Sequence, residues 1–303
     1  MEDIIKKIYS HYLSDKELLE KEKEILMLND LKKLDFEDQK VNLYYNNNYF
    51  IKITCIHEYT KEYKLTNNYL IIDKFPLEII INNILRKELP NNIVKFNNYY
   101  FNNSKQILVM ENAGNTFRDL LISNINNLEL INTKIYEIII ILAIFEDKFK
   151  FMHKDLHYKN IIMKKTQNEY NMYNLHGKEY KIKSYGYIPV IIDFGTCMIF
   201  KLYNKEFIIK REIKKNNNLS NKFKNLKIIK LTDFNDYITY VRRLVLYIPS
   251  LDIFKLFVSI QRKFNNAYSI PIIKEYIDMN NIKNFEYSPT YLSPFEFLQK
   301  YKN

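Results

Sequence analysis

Two short polar segments, each next to an apolar strand, constrain this chain more than any other feature. Residues 153–160 have the sequence HKDLHYKN and are followed by an apolar stretch. Residues 193–195, with the sequence DFG, directly follow Val190 to Ile192 and begin 38 residues after Asp155. A single Asp or Asn in a loop is usually a turn former. The two segments in this order instead predict a cleft that brings Asp155, Asn160 and Asp193 together.

These three side chains are the kinds that phosphoryl transfer requires. The reaction needs a carboxylate that orients the acceptor hydroxyl and accepts its proton, and oxygen ligands that hold magnesium against the phosphates. Asp155 suits the first role. Asn160 and Asp193 suit the second, because magnesium prefers hard oxygen donors and often takes one or two of them from protein.

The hydrophobic pattern changes along the chain. We expect helices in residues 3–34, strands in the first third, and a larger, mainly helical remainder with a hinge near 111–115. The expected elements are a strand region at 41–57, a helix at 76–88, strands at 93–101 and 106–111, two helices within 115–150 and an irregular insert at 166–186. This order predicts an α+β protein with two lobes: a helical extension (1–40), a small β-rich N-lobe (41–111) and a larger helical C-lobe (112–303).

Composition restricts the partners. The net charge of +11 suits an anionic ligand such as nucleotide phosphates. The lysines are spread through the chain without a dense basic arm, so we do not expect nucleic acid as a partner. We expect a monomer that has no membrane partner. Cys55 and Cys197 are far apart in apolar surroundings, which favours two reduced, packed thiols.

The location is also an expectation from composition. The longest apolar run, Ile138 to Phe145, is too short to span a membrane, and the N-terminus has no signal-peptide core. We therefore expect a soluble, intracellular protein of the cytoplasm or nucleus. Heavy use of Asn, Ile, Lys and Tyr is typical of AT-rich genomes such as those of some large DNA viruses, in which case the location is the host cell.

The two motifs resemble those of the protein-kinase superfamily, whose catalytic loop is His-Arg-Asp followed by Asn and whose metal motif is Asp-Phe-Gly. Within it, the chain is most similar to haspin-type kinases. They share Asp-Leu-His in the loop, a Leu-x-Lys-Lys-Thr stretch similar to residues 162–166 (IMKKT), and a long insert before the metal motif. Kinases of large DNA viruses are similar in the same places. The resemblance covers about residues 40–250 and is dense from 150 to 197.

The resemblance implies a bilobal protein-kinase-like fold that uses ATP and Mg²⁺, and it implies further site residues. Lys52, central in an alternating strand, matches the phosphate-contacting lysine, and Glu78 matches its ion-pair partner. The stretch Met110, Glu111, Asn112 matches the interlobe hinge that binds adenine. The resemblance also implies an aspartate that anchors the catalytic loop, at Asp236 or alternatively at Asp233.

The chain departs from the kinase pattern in several places. It has no glycine before Gly114, so we expect residues 42–48 (NLYYNNN) to replace the glycine-rich phosphate loop. His157 stands where many serine/threonine kinases have Lys. Lys154 replaces the arginine that receives an activation-loop phosphate, and the Ala-Pro-Glu motif is missing, so we expect no phosphate-switched activation loop.

The sequence thus favours a serine/threonine protein kinase that transfers the γ-phosphoryl group of ATP. Two other functions stay open. An aminoglycoside- or choline-type small-molecule kinase also uses an Asp-x-His-x-x-Asn loop, which residues 155–160 match. A pseudokinase scaffold would explain the missing glycine loop.

Overall fold

The computed structural model describes residues 2–34, 41–55, 64–72, 74–102, 104–203, 205–211, 229–230, 237, 247–264, 267–283 and 286–301. Within these ranges the first part of the chain is rich in strands and the later part is built on long helices. The predicted α+β, bilobal architecture is confirmed. Cys55 and Cys197 are both free thiols.

An antiparallel sheet forms the core of the N-lobe. Five strands of the described chain build it in the spatial order β1-β2-β3-β7-β6. They are β1 (Lys32–Leu34), β2 (Val41–Tyr45), β3 (Tyr49–Cys55), β6 (Phe96–Phe101) and β7 (Lys105–Glu111). Because β1 belongs to this sheet, the sheet begins within the segment expected to be a helical extension. Helices α1 (Glu2–Tyr9) and α2 (Asp15–Leu26) precede it as expected, and the domain boundaries themselves stay a prediction.

The residues expected to replace the glycine-rich phosphate loop form a strand and a turn. Residues 42–45 lie in β2, and Asn46 to Asn48 form the turn between β2 and β3. This turn is tied to the hinge, because the Asn112 side chain donates to the Asn46 carbonyl at 2.6 Å. The replacement of the phosphate loop by residues 42–48 stays a prediction. The connection between the first two strands is residues 35–40, which lie outside the described part of the chain.

Helix α3 (Lys74–Glu88) follows β4 (Lys64–Leu65) and β5 (Tyr69–Ile72). Its residues Leu77, Ile79, Ile80 and Ile81 are all fully buried. A helix that is apolar on nearly every side is typical of a position between other elements. Here α3 packs between α1 and the short turn at residues 194–196, so it joins the N-lobe to the metal motif.

The C-lobe is built around helix α5 (Leu128–Phe149), which follows α4 (Phe117–Ser123). Strands β8 (Asn115–Thr116), β9 (Ile161–Lys165) and β12 (Tyr187–Ile191) form a three-stranded sheet in the same lobe. Residues Ile138 to Phe145 of α5 are all buried. Helices α6 (Ser250–Lys263), α7 (Pro271–Met279) and α8 (Pro294–Lys300) complete the described part of the lobe. None of the helices in the described ranges combines the length and apolar composition needed to cross a bilayer.

The insert at 166–186 is a β-hairpin and not irregular, contrary to the expectation. Strands β10 (Tyr170–Leu175) and β11 (Lys178–Lys183) pair antiparallel, and their turn has positive φ at His176 and Gly177. The alternation of apolar and polar residues that is typical of a strand is not visible in the sequence, because the inward face of β10 includes the polar Asn171 as well as Tyr173. Both side chains donate to the buried carboxylate of Glu137 on α5, at 2.6 and 2.7 Å, which fixes the hairpin to the lobe.

The segment after the metal motif also differs from the expected helical remainder. Strands β13 (Ile199–Leu202) and β14 (Lys205–Arg211) form a hairpin, and β14 pairs parallel with β5 of the N-lobe. Ile209 on β14 is fully buried, and Leu70 lies opposite it in the register. Apolar burial on an alternating strand explains this pairing. A strand-to-strand link thus joins the segment that follows Asp193 to the N-lobe.

A half-buried carboxyl group at the α5–α8 contact predicts a pH dependence of stability. Burial raises the pKa of Glu146 from 4.5 to about 7, although hydrogen bonds from Ser293 and the Phe295 amide lower it, and Glu296 and Asp147 raise it further. The folded protein binds the proton of Glu146 more tightly than the unfolded chain does, and this difference adds to the free energy of unfolding. The added stability is complete below pH 4.5 and is lost as the pH rises through about 7. We expect the melting temperature to fall over this range. Glu146→Gln should flatten the fall, measured by thermal denaturation of both proteins in parallel; identical pH profiles would contradict the assignment.

Candidate active site

Lys52 lies at the centre of β3, between Leu43 of β2 and Leu108 of β7 in the register. Its Nζ is 3.6 Å from Oε2 of Glu78 and 3.3 Å from Oδ1 of Asp193. Burial by itself would lower the pKa of Lys52, but the two carboxylates raise it above its ordinary value. Lys52 is therefore a permanent cation at the meeting point of the lobes.

Glu78 reaches Lys52 from the first turns of α3 and is 2% exposed. At this separation a pair of charges interacts by roughly 4 kcal/mol at an effective dielectric of 20, before the cost of desolvation. That is enough to hold a long lysine side chain in one orientation. The structure thus brings together the lysine and glutamate that the resemblance paired, and it adds Asp193 as a third member.

The segment 151–160 is held to the metal motif by backbone and ring contacts. Met152 and Met198 exchange backbone hydrogen bonds at 2.9 and 2.8 Å. A ring nitrogen of His153, Nε2, is 2.9 Å from the carbonyl of Ile192, and the Ile192 amide donates to the Asn160 carbonyl at 3.1 Å. Because Ile192 precedes Asp193, these bonds fix Asp193 beside the loop.

Asn160 and Asp155 are linked directly. The Asn160 side-chain nitrogen donates to the Asp155 carbonyl at 3.0 Å, and this use of the nitrogen leaves the amide oxygen Oδ1 as the group that can bind a cation. The side chains of Asp155 and Asp193 are 24% and 33% exposed, so both carboxylates are within reach of a substrate. The three residues predicted to meet do lie in one region.

Asp193 has a left-handed backbone, with φ of 65° and ψ of 64°. Aspartate tolerates this region better than most residues, but a left-handed non-glycine residue is still uncommon and often marks a functional constraint. Phe194 next to it is fully buried and packs against His153, with ring centroids 5.7 Å apart. The packing of Phe194 therefore holds the strained residue in place.

Magnesium fits this donor set. Asp193 supplies a carboxylate, and Asn160 supplies an amide oxygen whose orientation is fixed by its own hydrogen bond. Clusters of three or more His, Cys, Asp or Glu side chains suited to a metal are not found within the described ranges. A site of two protein oxygens instead suits a metal ion whose remaining ligands are water and phosphate.

The structure identifies an anchor that the sequence interpretation missed. The carboxylate of Asp252 on α6 accepts hydrogen bonds from the backbone amides of His153 and Lys154, at 2.6 and 2.8 Å. Burial raises the pKa of Asp252, and these contacts oppose the rise. An acid within the apolar run of residues 251–254 was the sequence signal for it. Asp236 and Asp233, the predicted anchors, lie outside the described residues.

Lys255 is a second missed residue. It lies on α6 and its Nζ forms an ion pair with Oδ1 of Asp155. Neighbouring His157 is half-buried, and burial, with Asp155 opposing, lowers its pKa to about 4. Lys154 is fully buried, and its Nζ contacts the sulfur of Met198. Lys154 thus points into the lobe and not toward a surface phosphate.

The predicted hinge residues lie at the end of β7, with Met110 and Glu111 in the strand and Asn112 directly after it. Met110 is buried, and the Glu111 amide donates to the Lys95 carbonyl at 2.9 Å. The Asn112 amide donates to the Asn48 carbonyl at 3.0 Å. Both amides therefore form hydrogen bonds inside the N-lobe, and the binding of adenine at these positions stays a prediction.

Two contacts join this hinge to the C-lobe. The carboxylate of Glu111 binds Lys164 on strand β9 (Ile161–Lys165) at 2.7 Å. Gly114 has φ of 110°, and a Cβ added there would lie 3.1 Å from the carbonyl oxygen of Met163. Any side chain at position 114 would crowd the backbone of β9, and the positive φ is unfavourable for other residues. Glycine is therefore required where the hinge passes β9.

Comparison with known proteins identifies a family for this chain. The haspin-like kinase domain family matches residues 31–234. A Caenorhabditis elegans protein described as uncharacterized protein ZK177.2 is 36% identical over 59 residues, which is 20% of each chain. The chain thus matches about a fifth of this curated relative's length.

A solved structure of the kinase domain of PF14_0431 is also similar. It shares 20% sequence identity at a TM-score of 0.33, with 59% of this chain and 53% of that chain covered. The family match spans well over half of this chain, including Lys52, the loop with Asp155 and Asn160, and Asp193. The chain belongs to the family of haspin-like kinase domains.

Proposed function

We propose that this chain is an ATP- and Mg²⁺-dependent protein kinase that transfers the γ-phosphoryl group to serine or threonine hydroxyls of a protein. The observation that carries the proposal is the linked set of polar groups between the lobes. Lys52 is paired with Glu78 and Asp193, and hydrogen bonds through Ile192 connect Asp193 to Asn160 and its loop. Family membership supports the same reaction class.

Each member of the set has a role in the reaction. Lys52 binds the phosphates of ATP, and Glu78 holds its ammonium in position. Asp193 and Asn160 would hold the magnesium ion, which neutralises phosphate charge when bound. Asp155 accepts the proton of the acceptor hydroxyl as the acceptor oxygen bonds to the γ-phosphorus. The bond from that phosphorus to the bridging oxygen breaks, and ADP leaves with the electron pair.

A transfer assay tests the proposal. The chain is incubated with radiolabelled ATP and magnesium, once with a mixture of folded proteins and peptides and once with a panel of small alcohols. Label in protein, abolished by EDTA, is the expected result. Label in a small alcohol would instead support the small-molecule kinase, which the Asp155-x-His157-x-x-Asn160 spacing also fits.

The missing glycines favour a scaffold as the second candidate, since the chain has none before Gly114. Thermal denaturation with ATP and magnesium separates a binding enzyme from a scaffold that binds no nucleotide. A ligand at 100 times its Kd stabilises a protein by about 2.7 kcal/mol. An unchanged melting temperature at millimolar ATP would favour the scaffold.

Asp193→Ala is expected to remove the magnesium dependence of ATP binding. We expect magnesium to lower the Kd of the wild type for ATP by about tenfold or more, which corresponds to at least about 1.4 kcal/mol. In the variant the ratio of the Kd values with and without magnesium should approach one, because the carboxylate ligand is lost. Isothermal titration calorimetry measures both values. Asp278→Ala, at an exposed position on α7, is the control that should keep the wild-type ratio.

A further inference from the structure

The position of Lys255 is set by a rigid element. Lys255 follows Asp252 by three residues on α6, so the two side chains share one face of the helix. Asp252 holds the backbone of the loop, and Lys255 pairs with the carboxylate of Asp155 in the same loop. With a side chain that is 12% exposed, Lys255 is largely desolvated. Helix α6 therefore places a positively charged side chain next to the carboxylate of Asp155.

The loop itself has a neutral residue where a cation is expected. His157 stands two residues after Asp155, at the position where the resemblance places a lysine. The Nδ1 atom of His157 accepts a hydrogen bond from the Lys159 amide at 3.2 Å, so this nitrogen carries no proton and the imidazole is uncharged. His157 does not supply positive charge to the transfer step.

We propose that Lys255 is a catalytic residue whose ammonium, supplied from helix α6, contacts the transferred phosphoryl group in place of a loop lysine. The inference rests on the proposed function. Asp155 must lie within about 2.6–3.2 Å of the acceptor oxygen to take its proton. That oxygen attacks the γ-phosphorus, so an ammonium in contact with Asp155 is close to the oxygens of the phosphoryl group.

The chemical step balances without any further reactant. The acceptor proton goes to Asp155, the bond from acceptor oxygen to γ-phosphorus forms, and the electron pair of the broken bond leaves on ADP. Lys255 stays protonated throughout. It stabilises the charge on the phosphoryl oxygens from a partly desolvated position, where a fixed cation is more effective than in water.

The test removes the positive charge of Lys255 and then introduces a positive charge in the loop, at position 157. Lys255→Met should lower kcat for phosphoryl transfer by about 10- to 100-fold and change the KM for ATP by less than about threefold. Lys263→Met, an exposed lysine on the same helix, is the control and should keep the wild-type kcat. The double variant Lys255→Met, His157→Lys should recover at least about tenfold of the lost kcat, because it restores a cation two residues after Asp155.

Two results would overturn the inference. One is a wild-type kcat in Lys255→Met. The other is a Lys255→Met protein that has both a lower kcat and a lower melting temperature, and whose kcat is not recovered when His157→Lys is added. That result would make Lys255 a structural anchor. A wild-type chain without transfer activity would overturn the proposed function and this inference with it. An active wild type with an unchanged Lys255→Met overturns this inference and leaves the proposed function standing.

Discussion

Asp155→Asn is expected to lower kcat for phosphoryl transfer by about 10²- to 10⁴-fold, the usual contribution of general acid–base catalysis. Asparagine has the same shape but cannot accept the proton of the acceptor hydroxyl. Its side-chain oxygen can still accept a hydrogen bond from Lys255, and the Asp155 carbonyl that binds Asn160 is unchanged. The fold should therefore survive, although the weakened contact to Lys255 costs about 1–3 kcal/mol of unfolding free energy.

Initial rates with labelled ATP, together with thermal denaturation, measure both parts of this prediction. Asp278→Asn removes an exposed carboxylate from α7 and should keep the wild-type kcat. If Asp155→Asn turns over at the wild-type rate, Asp155 is not the base. If it loses both activity and the folded state, the loss of kcat would not report on chemistry, and the circular dichroism spectrum distinguishes the two cases.

Asp252→Ala is expected to cost the largest amount of stability. The carboxylate is 2% exposed and accepts two backbone amides of the loop. Alanine leaves both buried N–H groups without this acceptor, at about 1–3 kcal/mol each, or roughly 2–6 kcal/mol together. Since domains are stable by only about 5–15 kcal/mol, this variant loses a large fraction of its stability. Because the loop also holds Asp155, transfer activity should fall with it.

Urea denaturation measures the loss, and two further variants keep the test decisive. Asp252→Asn retains one acceptor oxygen and should lose less stability than Asp252→Ala. Ser250→Ala, on the same helix, removes a buried hydrogen bond to the Tyr287 hydroxyl and should cost about 1 kcal/mol. An Asp252→Ala protein as stable as Ser250→Ala would contradict the anchoring role.

Local sequence was sufficient to predict the functional residues of the loop (residues 153–160) and of the metal motif (residues 193–195). Asp155, Asn160 and Asp193 each lie in a short motif next to an apolar strand, so spacing and residue type predicted them. The resemblance added Lys52 and Glu78, and the ion pair between them is present. Their roles in catalysis stay predictions for the experiments above.

Asp252 and Lys255 were missed because their partners are distant along the chain. The Asp252 carboxylate binds a loop amide 99 residues earlier, and Lys255 binds a carboxylate 100 residues earlier. Nothing in the local pattern of α6 predicts which loop such side chains meet. The hairpin of β10 and β11 was missed for a related reason, because its inward Asn171 is compensated by Glu137 on another element.

The sequence by itself determined the strand-rich first third, the helix that carries Glu78 and the chemical groups available for phosphoryl transfer, because motifs and periodicity are local properties. Only the tertiary structure decided how those groups are supported. It paired β14 with β5 across the lobes, placed the Asn46 turn at the hinge and brought a lysine of α6 to Asp155. These contacts depend on which surfaces bury one another, and burial is a property of the whole fold.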